Sequence, residues 1–199
     1  MKHVTSLSVA RSGHNFVIQN IMSWFEENTL LHHNLENIAP RDLMPLHLSH
    51  GGMRVLIYRD FDDWLASTIM KSYNGNTHRI KHTLPSYILS VVGKYFEIRR
   101  EAVNPTYFSG AIIIHYDRFV KSETYRRAIC DVFGGVYSED RLNFVPANGH
   151  HSSFDGKKYQ DRGSEMNVLN RKDQILETEH KDFYLKIMKE YGGLIRIHR

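Results

Sequence analysis

The chain has 199 residues, 41% hydrophobic and 12% aromatic, enough for one substantial core and short for two domains. Lys and Arg number 26 against 22 Asp and Glu, a net charge of +4. That excess is too mild and too interspersed for a dedicated nucleic-acid surface, so no nucleic-acid partner is expected. Cys130 is the single cysteine, which excludes an intrachain disulfide and predicts a buried structural thiol. No apolar stretch reaches the ~18–20 residues that cross a bilayer. The first residues read as a strand rather than a signal peptide, so a cytoplasmic location is expected.

Residues 4–10 read as a first strand, after which Phe16, Val17, Ile18, Ile21, Met22, Trp24 and Phe25 recur as the apolar face of a helix. A strand near 43–48 has uncertain limits because Pro40 and Pro45 interrupt it. Residues 53–58, Met-Arg-Val-Leu-Ile-Tyr, form a clearer strand, and 62–73 follow with helical spacing. Residues 84–103 predict a helix helped by Pro85 near its start. Residues 110–116, with Ile112, Ile113 and Ile114 at their centre, look like a strand buried on both faces. Ser122 can cap the helix that follows, and Gly134-Gly135 supplies its left-handed stop. Residues 143–171 read as a long loop, and 177–191 as a last helix with Phe183, Tyr184, Ile187 and Met188 on its apolar side. Strands alternating with helices predict a single domain over 1–199, three-layer α/β/α with a mainly parallel sheet.

Two short basic elements stand out. Arg11-Ser12-Gly13-His14-Asn15-Phe16 and Arg59 with Ser67 eight positions later each follow a strand and open a helix. Each therefore brings backbone N–H groups, a hydroxyl and a guanidinium to the ligand-binding edge of a parallel sheet, a place suited to phosphate. Two such elements point to a ligand with two anionic groups. The first is not a Walker A loop, because its cation precedes the lone glycine and no lysine follows, so magnesium-dependent NTP hydrolysis is disfavoured.

A strand, then a basic residue, Ser-Gly and two polar residues resembles the 5′-phosphosulfate loop of sulfotransferases that use 3′-phosphoadenosine 5′-phosphosulfate (PAPS). Arg59 and Ser67 resemble the 3′-phosphate motif of that family in type and spacing. Ile114-His115-Tyr116-Asp117-Arg118-Phe119-Val120 is similar to its hydrophobic-x-Tyr-Glu/Asp-x-Leu segment. The resemblance implies a P-loop NTPase-like sulfotransferase fold, PAPS as co-substrate, a hydroxyl-bearing acceptor (carbohydrate, lipid or small molecule) and no metal. On the matched motifs it assigns Arg11, Ser12, Gly13, His14, Asn15 and Phe16 to the phosphosulfate, with Arg11 also assisting catalysis, and Arg59 and Ser67 to the 3′-phosphate. His14 and Asn15 stand where threonines are common, and capping of the first helix is their alternative role.

In many members the base lies between the two motifs, where this chain has His47 and His50. His50 is preferred, because it ends a strand pattern just before a glycine pair, with His47 as the second candidate. Lys157, Lys158 and Arg162 lie where relatives fold a basic loop back over the nucleotide, and Phe154 or Tyr159 would meet adenine or acceptor. The adjacent pairs His32-His33 and His150-His151 do not have metal-ligand spacing, which argues against structural zinc. The alternatives are a P-loop kinase-like phosphotransferase and a non-catalytic anion- or nucleic-acid-binding module.

Overall fold

The fold is seen in a computed structural model that describes residues 2–26, 30–36, 52–74, 84–143 and 168–197. In chain order the elements are β1 (Lys2–Ser8), α1 (His14–Ser23), β2 (Leu30–Glu36), β3 (Met53–Tyr58), α2 (Phe61–Asn74), α3 (Leu84–Val103), β4 (Ile112–His115), α4 (Tyr116–Lys121), α5 (Glu123–Phe133), α6 (Arg171–Ile175) and α7 (Lys181–Ile197). The strands form one sheet in the order β2-β1-β3-β4, and every pairing is parallel.

Alternation along the strands divides the core between the two faces of the sheet. Val4, Val55, Ile57 and Ile114 pack with Val17, Ile18 and Ile21 of α1 and with Phe119, Ile129, Cys130 and Phe133 of α4 and α5. Leu7 and Leu56 point the other way, onto Ile98 of α3 and Phe108. A further apolar cluster, built on Phe61, Trp64 and Leu65 of α2, joins α2 to α3, α6 and α7. Helices thus cover both faces, the layering expected for an α/β chain of this pattern. Cys130 is free and buried among the α5 residues, as its apolar setting predicts.

The chain leaves β1 for β2 on one side and places β3 on the other, so the strand order reverses between β1 and β3. Ligands of open parallel sheets bind in the crevice outside the carboxyl ends at such a reversal. The loops leaving β1 and β3 are the two basic elements.

Several elements differ from expectation. β1 stops at Ser8, because Val9 and Ala10 leave the ladder to begin the turn in which Ser12 N–H donates to the Val9 carbonyl. β2 was not expected, since its centre reads His-His-Asn. The segment after β4 is two helices joined at Ser122, whose Oγ caps α5 by accepting the Tyr125 N–H; Gly134 ends α5 in the left-handed region. The last helix runs from Lys181 to Ile197 and is preceded by the short α6. The strand expected near 43–48 and most of the loop at 143–171 lie outside the described residues. Among the described residues, no helix is long and apolar enough to cross a membrane.

Candidate anion-binding site

The turn between β1 and α1 is built from backbone of alternating hand. Arg11 (φ 72) and Gly13 (φ 85) take positive φ on either side of Ser12, a kind of alternation that curls successive N–H groups into anion-binding concavities. A non-glycine residue in this region costs on the order of 1–3 kcal/mol and persists only where its surroundings enforce it. Trp64 on α2 supplies part of that enforcement, its Nε1–H donating to the Ala10 carbonyl at 2.8 Å. Gly13 is required twice over: its φ is left-handed, and a Cβ there would fall 2.0 Å from the Tyr116 ring.

Helix α1 begins directly after Gly13. It has no side-chain hydrogen bond at its N-cap and no acidic residue in its first turn. The first turn of a helix has N–H groups with no partner inside the helix, and the helix dipole favours an anion there. Ser12 is fully buried, and its Oγ has no hydrogen-bond partner among the described residues.

The two basic elements converge on one hydroxyl. Arg11 donates from both Nε and Nη2 to Ser67 Oγ, each at 3.3 Å. Arg171, at the start of α6, donates from Nη1 to the same oxygen. Arg171 was not singled out by sequence reasoning, being 104 residues from Ser67 in the chain. No local spacing could have found it. It is positioned by a clasp between α2 and α6, in which the Lys172 N–H donates to Asp63 Oδ1 at 2.8 Å and Lys172 Nζ lies 3.3 Å from Asp62 Oδ2. Burial, and next the charge of Arg59, push the Arg171 guanidinium down to about 9, with Arg11 acting in the same direction. It stays charged near neutral pH, held against like charges.

Arg59 is 2% exposed. Its Nε lies 3.3 Å from Asp117 Oδ1, its Nη2 donates to the Val168 carbonyl, and its guanidinium stands 5.0 Å from the centre of the Tyr116 ring. Tyr95 Oη–H fixes the backbone by donating to the Arg59 carbonyl at 2.6 Å. The ion pair of Arg59 is therefore with Asp117 across the sheet edge. Tyr116 and Asp117 belong to the third family-like segment, and they join the first two by packing under Gly13 and pairing with Arg59.

The remaining predicted residues sit differently. His14 is 2% exposed; its Nε2 lies 2.6 Å from Ser6 Oγ, which is also 2.6 Å from His32 Nε2. Burial, then the neighbouring His32, lower His14 to about 3, so it is neutral at pH 7. Asn15 is exposed, and Phe16 packs edge-on against Tyr116 and Phe119. His47, His50, Lys157, Lys158 and Arg162, together with Phe154 and Tyr159, lie outside the described residues.

For metal ligation, the described residues offer Asp60, His115 and Asp117, one ligand atom from each lying within 4.8 Å of the others. For an anion they offer the positive-φ turn, the open end of α1 and the arginines gathered at Ser67. No protein-family model matches the chain, and no curated protein or solved structure matches it.

Proposed function

We propose that the chain is a PAPS-dependent sulfotransferase. The observation that carries this reading is the meeting of Arg11 and Ser67: two motifs 56 residues apart, each resembling a separate phosphate-binding motif of that family, share a hydrogen bond in one crevice. Arg171 and Arg59 add charge to the same place. A single phosphate loop needs only the first element; a ligand with both a 5′ and a 3′ anionic group uses both.

In the reaction, the acceptor oxygen attacks sulfur as the bond from sulfur to the 5′-phosphate oxygen breaks, and 3′-phosphoadenosine 5′-phosphate (PAP) leaves. Negative charge grows on the sulfuryl and departing phosphate oxygens, which is where fixed N–H donors and cations lower the barrier. Arg11, the turn amides and the N-terminus of α1 have that role. Ser67 holds Arg11 in place before ligand arrives, and Arg59 and Ser67, joined by Arg171, serve the 3′-phosphate. The acceptor proton goes to a base, for which His50 and His47 remain the candidates.

The test is transfer from PAPS to a panel of glycans, lipids, phenols and alcohols, with PAP release as the readout. Acceptor-dependent release supports the reading. A folded chain that binds neither PAPS nor PAP contradicts it, and magnesium-dependent nucleotide hydrolysis would replace it with the phosphotransferase alternative.

A further inference from the structure

We propose that Asp60, His115 and Asp117 form a site for one divalent transition-metal ion at the carboxyl ends of β3 and β4. These strands are parallel neighbours, with Tyr58 paired to His115. Asp60 lies two residues beyond Tyr58 and Asp117 two beyond His115, so the sheet delivers all three to one edge. Sequence spacing does not reveal this set, because its halves are 55 residues apart.

His115 Nε2 lies 3.0 Å from Asp60 Oδ1 and 3.8 Å from Asp117 Oδ2. An ion bonded at about 2.0–2.2 Å to nitrogen and oxygen holds adjacent ligands about 3 Å apart, so the set needs only small closure. One imidazole with two carboxylates is a mixed donor set, which suits the manganese-to-zinc series better than calcium with its all-oxygen shell.

The surroundings already orient the ligands. Asp117 Oδ2 accepts the Asp60 N–H at 3.0 Å, Asp117 Oδ1 faces Arg59 at 3.3 Å, and the His115 ring rests 4.8 Å from that of Tyr58. Such outer contacts fix ligand geometry in metal sites. Exposure is graded, with side-chain values of 5% for Asp117, 15% for His115 and 60% for Asp60. That gradient provides an entry path and room for exchangeable ligands on the Asp60 side. The ion would sit one carboxylate away from Arg59, and so beside the anion site; its binding does not depend on the sulfuryl-transfer reading.

The test uses the full chain, stripped by chelator and then titrated with Mn²⁺ followed by paramagnetic resonance and with Zn²⁺ against a chromophoric chelator. The expected result is one site whose affinity for either ion falls at least tenfold in both Asp60→Asn and His115→Gln, with His32→Gln unchanged. Asp60 is exposed, so Asp60→Asn keeps the test valid if His115→Gln folds poorly. Failure of the folded wild-type chain to bind either ion overturns the proposal, as does wild-type affinity in Asp60→Asn.

Discussion

Two buried polar clusters adjoin the turn between β1 and α1, and burial acts on them in opposite ways. On the β2 side, Ser6 Oγ bridges His14 and His32 at 2.6 Å each, and the two rings meet edge-on with centroids 5.5 Å apart. One hydroxyl can donate to one imidazole and accept from the other, which requires the accepting ring to be neutral. Burial holds both rings neutral, lowering His14 to about 3 and His32 in the same direction. On the β3 side, Arg11, Arg59 and Arg171 gather around Ser67 and Asp117. Guanidinium cannot shed its charge in this way.

The histidine cluster sheds its charge on burial, whereas the arginine cluster keeps its charge. A third site sharpens the contrast. Arg126 is also buried, but it donates to the Phe119 and Val120 carbonyls at 2.9 and 3.0 Å and pairs with Glu139 at 2.6 Å. Arg126 is satisfied as a structural cation, while Arg171 faces other cations.

The largest expected effect breaks the histidine side. Because folding lowers the pKa of His14, the unfolded chain binds a proton more readily between pH 6.5 and 3. Stability is therefore full above about pH 6.5 and falls as the pH drops towards 3, by roughly 4–5 kcal/mol at about 1.4 kcal/mol per unit. His32 acts with the same sign. Urea unfolding midpoints measured across this range should decline in the wild type and decline less in His14→Asn. A slope unchanged by the substitution would remove His14 from the account.

Next in size, Arg59→Ala leaves the buried Asp117 carboxylate without its cation, which should cost about 3–5 kcal/mol of stability. Denaturant unfolding checks it, and Arg59→Ala with Asp117→Asn should recover part of the loss. Smaller still, and opposite in character, Arg171→Met should weaken PAP binding by about 1.5–3 kcal/mol while leaving the ligand-free chain as stable as before or more so. A site arranged for an anion loses function without losing fold. A Met variant with poor stability and normal PAP affinity would make Arg171 structural, like Arg126.

Much of the fold was legible from local pattern. The strand at Met53–Tyr58 and the helix at Leu84–Val103 lie within the expected limits, because a strand buried on both faces and an amphipathic helix with an early proline both declare themselves. β2 did not, since it is an edge strand whose His32 reaches Ser6 on the neighbouring strand, a tertiary satisfaction invisible in the string Leu-Leu-His-His-Asn. At the site, Arg11 and Arg59 were found by their positions after strands, and Ser67 by its spacing from Arg59. Tyr116 emerged as the wedge against Gly13 only when the fold brought β4 beside β3. Arg171 and the Asp60–His115–Asp117 group depend on contacts between distant segments, and no periodicity marks those.

The proposed function requires that the sheet edge between β1 and β3 recognise a ligand with two anionic groups. Calorimetric titration with PAP, adenosine 5′-phosphate and ATP tests it most directly. PAP is expected to bind more tightly than either, with the advantage over adenosine 5′-phosphate shrinking in Ser67→Ala. Equal affinity for PAP and adenosine 5′-phosphate would contradict it.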